Sequence, residues 1–333
     1  MKVWLGSRRY VSTLTILALS FVLLGVSSVS CSSPYQASDD VTVVAVTILP
    51  QAGFVEAVGG DRVEVVVMVP PGASPHTYEV TPDQMVLLSR ASMYAKVGSG
   101  VEFELAWLDR LLAVNRDMLV VDCSQGIEFV DTDYACDHDH EHDDHAHGHN
   151  DHHNDHHDDH HDHGAHDHDH HHGGIDPHIW LSVSNARVMV SHICEGLVQV
   201  DPENEDFYRA NCVAYIDELL QLDEEISSAL QGLANRSFIV YHPAFGYFAR
   251  DYGLVQIAVE RDGNEPDAAY MIRLIDEARD RGIRVIFAAP QFSTRNAEVI
   301  AEEIGGEVVL MDPLAKDYIQ NLQSVADALQ DMK

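Results

Sequence analysis

Along the chain, short uninterrupted runs of β-branched and apolar residues alternate with longer stretches of mixed character. Residues 41–48, 63–69, 93–97 and 118–123 are such runs, of strand length, and predict strands buried on both faces. Helices are expected between them, over 50–59, from Pro82 behind an N-capping Thr81, and over 102–113. The loop Pro70-Pro71-Gly72-Ala73-Ser74-Pro75-His76 carries three prolines and a glycine, which forbid regular structure there. The alternation then breaks at a low-complexity insert and starts again. Two helices, 184–200 and 203–234, precede strands at 237–241, 255–259, 284–288 and 307–311. Helices are expected at 244–252, 267–281, 294–304 and 318–332, with Gly253 and Gly282 as C-terminal stops.

Strand–helix alternation of this kind predicts an α/β fold of two lobes, each a mainly parallel four-stranded sheet flanked by helices. The expected division is an N-terminal lobe over 41–183, a linking helix over 184–200 and a C-terminal lobe over 201–333. In open sheets of this class, ligands bind beyond the carboxyl ends of the strands.

The N-terminus changes the picture from a cytoplasmic to an exported protein. Lys2, Arg8 and Arg9 precede an uncharged apolar run over 11–26, and small residues follow up to Cys31. This reads as a signal peptide over 1–30 and a tether over 31–40. Cys31 resembles the lipid-bearing cysteine of a lipoprotein, although Ser28 stands where Leu is usual, and an uncleaved N-terminal anchor is the alternative. Either reading places the body outside the cytoplasm, anchored to the outer face of the membrane. In an oxidising compartment the other four cysteines can pair. Cys194 and Cys212 flank the Asp201-Pro202 turn, so antiparallel helices would bring them level and suggest a disulfide. Cys123 with Cys136 would then close the root of the insert. Four buried thiols are the other reading.

Charge excludes one class of partner. With 54 acidic against 20 basic residues, the formal net charge is −34, which is wrong for nucleic acid. Residues 137–172 hold eighteen of the 22 histidines, including His138, His140, His142, His145, His147, His149, His152 and His153. They hold twelve acidic residues as well, and no apolar side chain larger than alanine. Such a segment cannot bury a core and is expected to be a disordered loop of weak, exchanging metal sites. Its expected role is a metal-collecting antenna or an abundance sensor, with an inert acidic linker as the alternative.

Only His76, His178, His192 and His242 lie outside that segment. His192 falls in an apolar helical stretch and reads as a packing or surface residue. The other three sit at strand ends or in proline-restrained loops: His76 after the second strand, His178 in Asp176-Pro177-His178-Ile179-Trp180, and His242 directly after the strand at 237–241. A single loop histidine is ordinarily solvated or bonded to backbone. Three at matching positions in two lobes open the alternative of a metal site. Asp312, at the end of the strand at 307–311, is a candidate fourth ligand or a turn residue. Three neutral imidazoles and a carboxylate would form a closed tetrahedral set suited to Zn²⁺.

These motifs carry a resemblance over nearly the whole mature chain. The runs 70–79, Asp176-Pro177-His178-Ile179-Trp180-Leu181 and Tyr241-His242-Pro243-Ala244-Phe245-Gly246-Tyr247-Phe248 resemble cluster A-I solute-binding proteins of ABC transporters, in their zinc-uptake, ZnuA-type branch. Asn264-Glu265-Pro266 and Met311-Asp312-Pro313-Leu314 match more weakly. The resemblance implies two α/β lobes joined by a rigid long helix, with the metal between them. His76 and His178 would be the N-lobe ligands, His242 and Asp312 the C-lobe ones. It implies a monomer that takes up Zn²⁺ as cargo and serves an ABC permease and its ATPase. Manganese-type relatives place Glu at the position of His242, so this chain points to zinc. Two departures stand out. Some relatives complete the site with water or another carboxylate instead of the aspartate, and Phe287-Ala288-Ala289-Pro290 lacks a Glu that many relatives have. A manganese- or iron-type binding protein and a metal-buffering adhesin remain alternatives of the same fold. A zinc hydrolase is not supported, since no His-Glu-x-x-His helix or Gly-x-Ser-x-Gly elbow is present. A stiff connecting helix would leave both lobes little changed on loading, with release by disturbance of His242 and Asp312.

Overall fold

The computed structural model describes residues 41–131, 174–260 and 265–331. The expected signal peptide, Cys31, Cys136, Asn264 and the histidine-rich segment lie outside the described residues. Strands β1 (Thr42–Val46), β2 (Val63–Val67), β3 (Met93–Lys96) and β4 (Leu119–Asp122) form one parallel sheet in the order β2-β1-β3-β4. Strands β5 (Ser237–Val240), β6 (Val255–Ala258), β7 (Val285–Ala288) and β8 (Glu307–Leu310) repeat that order as β6-β5-β7-β8. Every pairing is parallel, so each strand must return through a helix on the sheet face.

The local signals in the sequence account for the helices. In the first lobe these are α1 (Leu49–Gly59), α2 (Pro82–Leu88) and α3 (Glu102–Val114). Thr81 caps α2: its hydroxyl accepts from the Gln84 amide while Gln84 Oε1 accepts from the Thr81 amide. Helix α4 (Val183–Val200) covers β3 and β4, burying Val190, Ile193 and Leu197 completely. Gly196 permits that approach, because a β-carbon there would stand 2.6 Å from Met93 Sδ and Val121 Cγ2. The second lobe adds α6 (Gly246–Tyr252), α7 (Ala268–Asp280), α8 (Arg295–Ile304) and α9 (Tyr318–Gln330).

The bridging helix is not the one expected. Segment 184–200 belongs to the first lobe as α4, since its apolar face is spent on that lobe's sheet. The 26-residue α5 (Glu205–Leu230) instead packs against α1 and α4 on one side and α9 on the other. One hydrophobic core therefore runs from Val44 and Val46 through Leu219, Leu222 and Ile226 to Phe238, Val240 and Phe287. Alternation along the second sheet assigns Ile239, Ile257 and Ile286 to a separate core on its far face.

Further contacts fix the lobes at closer range. Phe54 of α1 meets Tyr318 of α9 edge-on, with ring centroids 5.0 Å apart. Gly53 lies so near the Lys316 carbonyl oxygen that a β-carbon would approach it to 2.5 Å. Trp180 Nε1 donates to the Pro313 carbonyl at 2.7 Å. No helix among the described residues is long and apolar enough to cross a membrane.

Candidate metal centre

His76 lies on the irregular loop after β2, whose prolines and glycine leave only turns between β2 and α2. His178 lies in the segment leading into α4. Ser99 Oγ, beyond β3, donates to the Pro177 carbonyl at 2.5 Å and holds that segment in place. His242 follows β5 directly, at the point where strand order reverses in the second sheet, which is where open α/β sheets leave a crevice. Three elements distant in sequence thus deliver one imidazole each to the cleft between the lobes.

The rings meet through their Nε2 atoms. His76 Nε2 lies 3.1 Å from His242 Nε2, and His242 Nε2 lies 3.2 Å from His178 Nε2. Zinc–nitrogen bonds of about 2.05 Å at the tetrahedral angle would set ligand nitrogens about 3.3 Å apart. The two observed spacings match two edges of such a tetrahedron, and the ligand atoms of all three rings lie within 4.8 Å of one another.

On the opposite side, each ring faces its own carboxylate. His76 Nδ1 lies 2.8 Å from Glu102 Oε2, His178 Nδ1 2.8 Å from Asp176 Oδ1, and His242 Nδ1 3.0 Å from Glu260 Oε2. A carboxylate can only accept, so it fixes the ring proton on Nδ1 and leaves the Nε2 lone pair pointing inward. Lone pairs facing each other at 3.1 and 3.2 Å repel unless a cation lies among them. Burial holds the His242 imidazole below its ordinary 6.5, against the opposing pull of Glu260, so that ring is a neutral ligand at pH 7. Glu102 would be raised by its partial burial, but the hydrogen bond from His76 prevails and keeps it below the usual carboxylate range.

The cavity beside the rings is about 10 Å³, lined by the three histidines with Trp180, Phe292, Pro313 and Leu314. That is room for one water-sized species and excludes an organic substrate. Phe292 stacks on His242 with ring centroids 4.8 Å apart and covers one side. Nitrogen donors with apolar walls favour Zn²⁺ over hard cations, which prefer oxygen.

Asp312 stands apart. Among the described residues the group able to hold a metal is His76, His178 and His242. Asp312 Oδ1 accepts from Gln291 Nε2 at 2.7 Å and from the Leu314 amide at 2.9 Å, which is the bonding of a turn residue. His192 is likewise outside the site, with Nε2 2.9 Å from the Gln125 carbonyl. The three carboxylates were not singled out from sequence. Asp176, two residues before His178 across a proline, was the one within reach of a local argument. Glu102 and Glu260 are single acids among many. Cys194 and Cys212 lie side by side, their thiols hydrogen-bonded, and both are free in the structure. Cys123 is a fully buried thiol that accepts from Gln51 Nε2.

The chain is similar to known zinc-uptake proteins. The family model described as "ZnuA: Zinc-uptake complex component A periplasmic" matches residues 44–332. The high-affinity zinc uptake system protein ZnuA of Bacillus subtilis is 27% identical over 333 residues, covering 96% of this chain and 97% of that protein. A crystal structure of a ZnuA is 38% identical, covers 88% of this chain and 99% of its own, and superposes with a TM-score of 0.74. A 138-173 deletion mutant of ZnuA with zinc bound is also 38% identical, covers 88% and 98%, and has a TM-score of 0.73.

Proposed function

Because the chain belongs to the family of periplasmic zinc-uptake component A, we propose that it binds one Zn²⁺ through His76, His178 and His242 and hands it to an ABC importer. The observation that carries this is the convergence of three Nε2 atoms, each on a ring whose Nδ1 faces its own carboxylate. Apolar walls and the small cavity leave the fourth position to a water or to a side chain brought in on loading. Asp312 takes that place only by giving up its bonds to Gln291 and Leu314.

The protein works as a transport component rather than an enzyme, its partners being the importer's permease and ATPase. It acts outside the cytoplasm as a monomer, tethered by lipid on Cys31. The histidine-rich segment 137–172 collects zinc weakly and passes it to the cleft. That a ZnuA lacking its residues 138-173 has a structure with zinc bound favours a cleft site separate from segment 137–172 here.

The test is zinc titration of the mature protein and of His76→Ala, His178→Ala and His242→Ala. One tight site lost in each variant, with weak sites remaining, is the expected result. Tight binding unchanged in the three variants would refute the assignment. Deleting 137–172 should remove the weak sites and keep the tight one.

A further inference from the structure

The three histidine–carboxylate pairs are not equivalent. The Asp176 and Glu260 side chains are 2% and 10% exposed, and their histidines 7% and 11%. Glu102 is 51% exposed and His76 21%. Asp176 is fixed twice over, since its Oδ1 also accepts from the His178 amide at 2.9 Å. Glu260 is tied into the second lobe by its amide, which donates to the Tyr241 carbonyl at 2.9 Å. Glu102 holds His76 from the open side of the cleft.

The supports of this pair also differ. His76 rides on an irregular loop, where its amide has only a 3.3 Å contact with Ser74 Oγ. Glu102 begins α3, and that helix end is pinned from below. Two residues on, the buried Glu104 accepts from the Val97 amide at 2.6 Å, the Gly98 amide at 2.9 Å and the Thr47 hydroxyl at 2.5 Å. A helix pinned through Glu104 therefore presents the carboxylate that restrains a histidine carried on an irregular loop. Separating His178 or His242 from the metal would move a ring held to a buried carboxylate, whereas His76 is held to a half-exposed one.

We propose that Glu102 is a positioning residue that sets how long the metal is held, and that the metal is released by detachment of His76 rather than of His178 or His242. This rests on the three-histidine reading of the site. It relocates the labile side of the cleft from the second lobe, where the sequence suggested it, to the first.

The experiment is stopped-flow release of Zn²⁺ to a chelator from the full-length mature protein, its Glu102→Ala, Glu102→Gln and Glu102→Asp variants, and His178→Ala as a control. Glu102→Ala should release zinc about 10- to 100-fold faster, the usual cost of removing such a support. Its association rate should change far less, and the zinc-free protein should still unfold in one cooperative transition. Glu102→Asp and Glu102→Gln, which keep an acceptor oxygen, should recover part of the retention. Release from Glu102→Ala at the wild-type rate would overturn the proposal. So would a fall in zinc-free melting temperature that accounts for the faster release. Tight binding retained by His178→Ala would instead refute the site itself, and the proposal with it.

Discussion

His178 and His242 are 64 residues apart in sequence, belong to different lobes, and face each other through Nε2 atoms 3.2 Å apart. Asp176 and Glu260, which can only accept, each face the Nδ1 on the far side of one of these rings. With His76, the pair forms a group that could hold a metal ion. It makes the interlobe contacts part of the site, and several of them can be tested.

One such contact is Tyr247, which is fully buried in α6. Its hydroxyl accepts from the Val130 amide at 3.1 Å and donates to the Asp176 carbonyl at 3.0 Å. Tyr247→Phe leaves a buried amide unsatisfied and is expected to destabilise the protein by about 1–3 kcal/mol. Zinc affinity should fall as well, since Asp176 orients His178. Thermal unfolding and zinc titration on the same variant check both effects.

Asp312 should matter much less than the buried acids behind the rings. Asp312→Ala is expected to change zinc affinity less than about 10-fold, whereas Glu260→Ala should lower it by about 10- to 100-fold. Competition titration against a chelator of known affinity compares the two. A larger loss in Asp312→Ala would show that the aspartate swings in on loading.

Acid should weaken both fold and site in a predictable direction. The His242 imidazole lies below 6.5 when folded, chiefly through burial, so below pH 6.5 the unfolded chain binds more protons at this group. Stability then rises with pH, and on acidification it falls from about pH 6.5 until the folded value is reached. Zinc requires the neutral ring, so its affinity declines over the same range. Melting curves of the zinc-free protein against pH should show this slope, and His242→Phe should reduce it.

Glu104 offers a test of the platform beneath Glu102. Burial raises its carboxyl above the ordinary range, opposed by the Thr47 hydroxyl and the Val97 and Gly98 amides. Glu104→Gln points an amide donor at groups that themselves donate, at a cost of about 1–3 kcal/mol. Chemical denaturation should register the loss.

Cys194 and Cys212 provide a covalent check on how α4 meets α5. Thiol–disulfide exchange with oxidised glutathione would join their sulfurs and transfer two hydrogens to the glutathione. The loop closed would be short, and the bond should add about 3 kcal/mol of stability. Mass spectrometry after digestion would detect the cross-linked pair, and a reduced pair after prolonged oxidation would argue against it.

Much of this arrangement was legible in the chain. The eight strand segments, the Thr81 cap and the glycine stops are local properties, and local sequence carries them. The three clustered histidines could be singled out as well, because each lies at a strand end or in a proline-restrained loop in a chain that keeps its other histidines almost wholly within one segment. The supporting carboxylates were not, since Glu102 and Glu260 reach their histidines only after two separate sheets and the loop bearing His76 are in place. The bridging helix was misassigned for the same kind of reason. Segments 184–200 and 205–230 are both amphipathic, and only packing against Met93 and Val121 on one side, or across both lobes on the other, distinguishes them.

The sequence by itself determined the secondary elements, the parallel two-lobe class and which three histidines stood out as candidates, because period, capping and residue chemistry act over a few neighbouring positions. The tertiary structure alone decided which acid backs each histidine, why Asp312 is turned to Gln291 and Leu314, and which ligand stands nearest to solvent. Those outcomes depend on distances between groups up to 166 residues apart, fixed by a core shared between the lobes and by no local signal.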